Sequence, residues 1–335
     1  MAASLSYTLH HYASENYLQK LGVWQVDPAN KGKYWVVYIH GGAWRDPRVS
    51  HETFTPTIDW ILGTSPTTAA TITTTTNESG SSDAADAIAG FASIDYRLSP
   101  HPQFPQDPAT TPADQYRGAR HPDHLHDVRS ALVFLQQTYG FGSNYVLVGH
   151  SAGGALAFQL LATSPSPAGN GFPGLGPSEQ QHPALPAAIV AFEGLYDFTG
   201  VNERYGGAYA PFFRGAFGAD PADWDAAAPL SFAGSYTEKW PGGRVVLLGW
   251  SPDDTLVDGP EADNMARRLR DTDGFVEEKS GEDQRGDGGV GGGGPRLLLL
   301  KDLRGDHDEI WRRGEHVARM VWIALQKLGS VRKEV

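Results

Sequence analysis

The chain has 335 residues, 40% of them hydrophobic, enough apolar material to fill one large core, so a single α/β domain over residues 1–335 is expected. Its net charge of -12 argues against nucleic acid and anionic membrane surfaces, which select clustered Lys and Arg, and leaves a small molecule as the expected partner. The absence of cysteine excludes disulfides, thiolate metal sites and a cysteine nucleophile.

The first twenty residues, MAASLSYTLHHYASENYLQK, show no basic region followed by an apolar one. Nor does the chain hold an uninterrupted apolar run of about 18 residues, the length that crosses a bilayer. A cytoplasmic protein is therefore expected. A homodimer stays open, since the sequence does not fix the oligomeric state.

Short, continuously apolar runs bounded by turn residues follow in order: Tyr34 to Ile39, Ile88 to Ile94, Tyr145 to Val148, Ala188 to Phe192, Val245 to Leu248 and Leu297 to Leu300. Such runs predict strands buried on both faces of a mostly parallel sheet. Between them, Pro122 to Tyr139 sets Leu125, Val128, Leu132 and Leu135 on one stripe, with Gly140 just past the end, which predicts a helix. A second helix is predicted over Trp311 to Leu328, with Gly329 as its stop.

Two stretches interrupt this alternation. Residues 63–87 are rich in Thr, Ser and Ala, and residues 279–295 contain GDGGVGGGG; both are expected to be flexible insertions within the one domain. The Pro- and Gly-rich piece from Ser164 to Pro186 and the aromatic segment from Tyr205 to Phe217 are expected to cap the sheet edge.

The chemistry centres on Gly149-His150-Ser151-Ala152-Gly153, after the apolar run YVLV and before the helix-forming ALAFQLLATS. A nucleophile on a cramped strand-to-helix turn needs small neighbours, which is why Gly149 and Gly153 flank Ser151 at this spacing. The helix that follows turns its N–H groups and positive dipole end toward the site. Upstream, His40-Gly41-Gly42-Ala43-Trp44 follows the strand YWVVYI. Its glycines let the backbone turn inward, so the N–H groups of Gly42 and Ala43 join that of Ala152 as expected oxyanion donors. A serine nucleophile also needs a base, and His182, His307 and His316 follow it. His307 stands a few residues past LLLLKDL, at the carboxyl edge of the sheet, whereas His182 lies in a Pro-rich loop before a strand and His316 lies within the covering helix. For the orienting acid, SPDDTLVD after the penultimate strand offers Asp253 and Asp254; Asp254 is preferred, with Asp258 ranked third. No metal or organic cofactor is needed for this chemistry.

Taken together, HGGAW and GHSAGG resemble the kynurenine formamidase (arylformamidase) family of α/β-hydrolases, marked by an H-G-G-x-W loop. Gly194-Leu195-Tyr196-Asp197, SPDDTLVD and DHDEIW are similar to further landmarks of that family, so the resemblance covers most of the chain. It implies an α/β-hydrolase fold and hydrolysis of N-formylkynurenine to kynurenine and formate, a step of tryptophan catabolism. Trp44, beside the oxyanion loop, is the expected contact for the substrate's aromatic ring. The chain departs from the family pattern in its two insertions and at Glu193, where a small residue is expected. The alternative enzyme is a carboxylesterase resembling the hormone-sensitive lipase group, although Ala43 replaces that group's third glycine and His150 its acid before the serine. From another class, a non-catalytic binding protein on the same scaffold is disfavoured, because such proteins typically lose a triad member.

Overall fold

The computed structural model describes residues 5–64, 85–164, 182–278 and 294–332. Most of both expected insertions, and most of the piece from Ser164 to Pro186, lie outside the described residues.

Every apolar run singled out above is a strand. Among the described residues nine strands, Ser6–His11 (β1), Lys20–Gln25 (β2), Tyr34–Ile39 (β3), Ile88–Ile94 (β4), Tyr145–His150 (β5), Ala188–Phe192 (β6), Val245–Gly249 (β7), Val276–Glu278 (β8) and Arg296–Leu300 (β9), form one sheet. Its order is β1-β2-β4-β3-β5-β6-β7-β9-β8. β1 and β2 are antiparallel additions at one edge, and all pairs from β4 onward are parallel.

The helices are Thr55–Leu62 (α1), Asp123–Tyr139 (α2), Ala152–Ala162 (α3), Phe198–Arg204 (α4), Ala210–Phe217 (α5), Pro221–Ala227 (α6), Tyr236–Lys239 (α7), Gly259–Asp271 (α8), His307–Arg313 (α9) and Glu315–Arg332 (α10). Successive strand side chains point to opposite faces, so each strand feeds two cores. Val37, Leu147, Ile189 and Leu248 pack with α2, α3 and α8 on one face. Val36, Val146, Val190 and Leu247 pack with α1 and α10 on the other. This double burial is why the strands read as unbroken apolar runs.

The C-terminal helix differs from its expected bounds. Gly314, in the left-handed region at φ 77°, ends α9, and α10 starts one residue later and runs through Gly329 to Arg332. A Cβ at Gly314 would stand 2.5 Å from the Pro56 carbonyl carbon, so α9 is locked against the start of α1. The break depends on a contact far away in sequence, which helical periodicity does not record.

β3 and β5 are neighbours, but the chain leaves β3 for β4 on its other side before returning to β5. Loops at the carboxyl ends of strands on either side of such a reversal diverge and leave a crevice between them, the usual ligand position in open α/β sheets.

Candidate active site

Five strand ends meet at that crevice. The loop after β3 carries His40 to Trp44, β5 delivers Ser151, β6 ends beside Glu193, β7 leads to Asp254, and β9 leads to His307 at the start of α9.

Ser151 sits between β5 and α3 with φ 52° and ψ -118°, a conformation that L-residues rarely adopt. The turn leaves no room beside it. A Cβ at Gly149 would lie 2.5 Å from the Gly153 carbonyl oxygen, and one at Gly153 would lie 2.1 Å from the Ile39 carbonyl oxygen. The expected steric role of both glycines is thus visible in the turn, and the second contact ties it to β3. Ala152 opens α3, so its N–H has no helical carbonyl to meet.

The loop after β3 also turns left-handed, at Gly42 (φ 84°), Ala43 (49°) and Trp44 (60°). The N–H groups of Arg45 and Asp46 close this turn on the Gly42 carbonyl, at 3.0 and 2.9 Å. Gly41 lies directly under the serine, since a Cβ there would stand 3.0 Å from the Ser151 Cβ and 2.7 Å from the His150 ring. His40 is buried against Tyr96, and the Tyr96 hydroxyl donates to the His40 and Gly41 carbonyls. Trp44 is placed differently from its expected role. Its side chain is wholly buried, edge-on to Phe198 and Phe217, where it packs the loop against α4 and α5 and faces no accessible surface.

Asp254 and His307 come together. The His307 Nδ1 lies 2.9 Å from the Asp254 Oδ2, and the other oxygen of Asp254 accepts from the Leu256 and Val257 N–H groups at 2.8 and 2.9 Å. With Nδ1–H donated to the carboxylate, Nε2 of a neutral His307 is left as the basic nitrogen. The competing candidates lie elsewhere. Asp253 is half-exposed and accepts from the Gly305 N–H, Asp258 pairs with Arg204, and His316 accepts from the Arg304 N–H. His182 lies in the segment leading into β6, away from the loops after β7 and β9.

Two residues that sequence reasoning did not single out join the acid and base loops. Asp306 caps α9, with Glu309 closing the capping box, and also accepts from the N–H and hydroxyl of Thr255 at 2.9 and 2.7 Å. The Ser251 hydroxyl donates to the Gly305 carbonyl at 2.7 Å. These bonds fix the two loops to each other, so Asp254 and His307 are positioned as a unit.

Behind the pair stands Glu193, 1% exposed and left-handed at φ 49°. Burial, reinforced by the charge of Asp254, pushes its carboxyl up to about 11, so it is neutral at physiological pH. Burial and the neighbouring His307 hold His150 well below the usual imidazole range. The 3.4 Å approach of His150 Nε2 to Glu193 is therefore a contact between two neutral groups, not an ion pair. His150, Glu193 and His307 offer ligand atoms within 4.8 Å of one another, a spacing a metal ion could use, but such an ion would compete with Asp254 for His307.

No protein-family model matches the chain. Among curated proteins, it is 31% identical to the kynurenine formamidase-like hydrolase fscH of Fusarium equiseti, over 86% of this chain and 81% of that one. It is 30% identical to the kynurenine formamidase avaC of Aspergillus versicolor, over 85% and 86%. Among solved structures, it is similar to esterase B of Lactobacillus rhamnosis, with a TM-score of 0.58 at 13% identity over 99% of this chain and 90% of that one. A butyrate-bound esterase, Est2 of Thermogutta terrifontis, gives 0.57 at 15% identity over 97% and 94%. At such identities the structural likeness establishes the α/β-hydrolase fold. Joined to relatives that share about a third of its residues over most of both lengths, that fold means that the chain belongs to the kynurenine formamidase family of α/β-hydrolases.

Proposed function

We propose that this chain hydrolyses the formamide of N-formylkynurenine, giving kynurenine and formate, with Ser151 as nucleophile, His307 as base and Asp254 as orienting acid. The observation that carries this reading is the 2.9 Å bond between His307 Nδ1 and Asp254, formed where the His307 ring lies 4.6 Å from that of His150, the chain neighbour of a serine on a strained turn.

In the proposed reaction His307 Nε2 takes the proton of the Ser151 hydroxyl as its oxygen attacks the formyl carbon. The oxyanion that develops is met by the N–H groups of Gly42, Ala43 and Ala152. Asp254 stabilises the imidazolium and holds the tautomer. The carbon–nitrogen bond breaks as His307 returns its proton to the leaving aryl amine, which departs as kynurenine. Water, deprotonated by the same histidine, then attacks the formyl ester; formate leaves and the serine regains its proton.

Comparing kcat/KM on N-formylkynurenine with that on p-nitrophenyl acetate and butyrate tests the reading. A formamidase prefers the first by orders of magnitude. Equal or better turnover of the esters would assign the site to a general carboxylesterase. Ser151→Ala should lower turnover by about 10⁶, as in other triad enzymes, and retention of more than a few per cent would remove Ser151 from the chemistry.

A further inference from the structure

Beside the loop that carries Gly42 and Ala43 lies a cavity of about 370 Å³, lined by Arg45, His101, Phe104, Tyr116, Arg117 and Pro211 among others. Among the described residues neither of its arginines forms an ion pair, and the Asp46 carboxylate acts on Arg45 and His101 only through space. Arg45 is 8% exposed, yet among the described residues its guanidinium makes one hydrogen bond, from Nη1 to the Pro211 carbonyl at 3.2 Å, and lies over the Phe212 ring. Arg117 donates from Nη2 to the Phe104 carbonyl at 2.7 Å. The Nε of each is buried without a partner. The nearest carboxylate in sequence, Asp46, is already engaged by Arg48 at 2.6 Å, and among the described residues neither Arg45 nor Arg117 forms an ion pair. His101 accepts from the Gln103 N–H through Nδ1, so as a neutral ring it carries its proton on Nε2 and adds another donor.

A buried guanidinium without a counter-ion is costly, and arginine is rarely buried unless paired. Here one such guanidinium, Arg45, lines a cavity together with the partly buried Arg117, in a chain with 39 acidic and 27 basic residues, so carboxylates to pair with them were available in composition. The donors left over suit an external carboxylate, which a guanidinium grips with two parallel hydrogen bonds. Phe104 and Tyr116 supply a flat apolar wall beside them.

The cavity is built onto the catalytic loops. The Arg45 N–H closes the oxyanion turn on the Gly42 carbonyl, and the Ser99 N–H holds the Trp44 carbonyl at 2.8 Å. α5 begins at Pro211's neighbour, and just before it the Tyr209 hydroxyl donates to the Leu256 carbonyl, two residues past Asp254. α5 thus bridges the loop of Asp254 and Arg45, which lines the cavity and follows Gly42 and Ala43 in the chain.

We propose that this cavity holds the carboxylate end of the substrate and makes the enzyme selective for aryl formamides that carry a carboxylate away from the scissile bond. The inference rests on the formamidase reading and adds the group by which the substrate is chosen.

The test uses the full chain and two substrates, N-formylkynurenine and 2-formamidoacetophenone, which keeps the aryl formamide and ketone but lacks the amino-acid end. The wild type should prefer the first by about 100-fold in kcat/KM, and Arg117→Gln should reduce that preference about 10- to 100-fold, mainly through KM. Arg117→Lys, which keeps the charge but not the fork, should fall between them, and serves if the Gln variant does not fold. An unchanged preference in both variants, or no preference in the wild type, overturns the proposal while leaving the formamidase reading intact. Calorimetry separates the two ideas in the other direction. If neither formamide is cleaved, yet kynurenine binds the wild type and loses its affinity in Arg117→Gln, the carboxylate site stands and the formamidase reading fails. If kynurenine does not bind, or acetate binds as tightly as kynurenine, the cavity is not a substrate-carboxylate site.

Discussion

A carboxylate that holds an imidazole by one oxygen and two backbone N–H groups by the other cannot become an amide without reversing one of those bonds. Asp254 is in that position. In Asp254→Asn the Oδ1 position must still accept from Leu256 and Val257, so the NH2 group faces His307 Nδ1 and forces the ring into the wrong tautomer. We expect kcat to fall about 10⁴-fold, and Asp253→Asn, at a half-exposed side chain, to change it by less than about threefold. Steady-state kinetics on N-formylkynurenine decide, and the reverse order of effects would mean that Asp253 is the orienting acid. Glu193 makes a different prediction. Its folded value of about 11 lies above the 4.5 of an unperturbed glutamate, so between those values the unfolded chain loses a proton that the folded one keeps. Stability is therefore greatest, for this group, below about 4.5 and declines as pH rises toward 11, at up to about 1.4 kcal/mol per pH unit. Glu193→Gln removes that titration while keeping a neutral group of the same shape. Urea unfolding from pH 5 to 9 should show a shallower decline for the variant, and parallel curves would mean that Glu193 is ionised in the fold. As candidates, Ser151, Asp254 and His307 were legible in the sequence because each follows a strand that announces itself. Asp306 and Arg45 were not, and Glu193 stood out only as a departure from the family pattern, because what sets their roles is contact with residues far along the chain.

At the scale of elements, the same division holds. The central strands and α2 were readable, since burial on two faces or on one stripe writes itself into local apolar spacing. β1 and β2 were missed: they are an edge pair, and β1 alternates half-buried with exposed positions and carries little apolar signal. The break at Gly314 was missed because it is fixed by the backbone of α1. That glycine links the packing of α1 to the placement of His307. An alanine there would need a left-handed backbone and would overlap Pro56, two costs that together come to about 2 to 4 kcal/mol. Relief is available only by moving α9, whose first residue is His307. Gly314→Ala should therefore lower both the thermal midpoint and kcat, whereas Gly142→Ala, also left-handed but with nothing within 4 Å of its Cβ, should cost only about 1 kcal/mol and leave kcat alone. Thermal melts alongside kinetics separate the cases, and an unaltered kcat in Gly314→Ala would show that α9 and the base are not mechanically coupled.

Across the whole molecule, the proposed chemistry lies at the ends of β3, β5, β6, β7 and β9, while β1 stands three places from β3 in the sheet. Removing residues 1–11 would strip six register pairs from β2 and expose its edge, with Leu21, Val23 and Trp24 among the residues left on the outermost strand. An open, apolar edge strand invites pairing with another chain, so the truncated protein should aggregate more readily and melt several degrees lower. One thread of side-chain contacts among the described residues runs from β1 to the loop after β3. The Tyr7 hydroxyl meets His51 Nε2 at 3.1 Å, His51 Nδ1 meets Asp95 at 2.8 Å, and Asp95 approaches His40 Nε2 at 3.7 Å. Asp95 keeps its other contact with His51, the backbone N–H, whether or not Tyr7 is present. The loop should therefore hold its shape without β1, and kcat/KM on N-formylkynurenine, measured well below the melting range, should stay within about threefold of the full chain. A loss beyond tenfold in truncated protein that is still folded by circular dichroism would show that the Tyr7–His51–Asp95 thread helps set the oxyanion loop. Tyr7→Phe, which deletes only the hydroxyl, should then reproduce that loss without the fall in melting temperature.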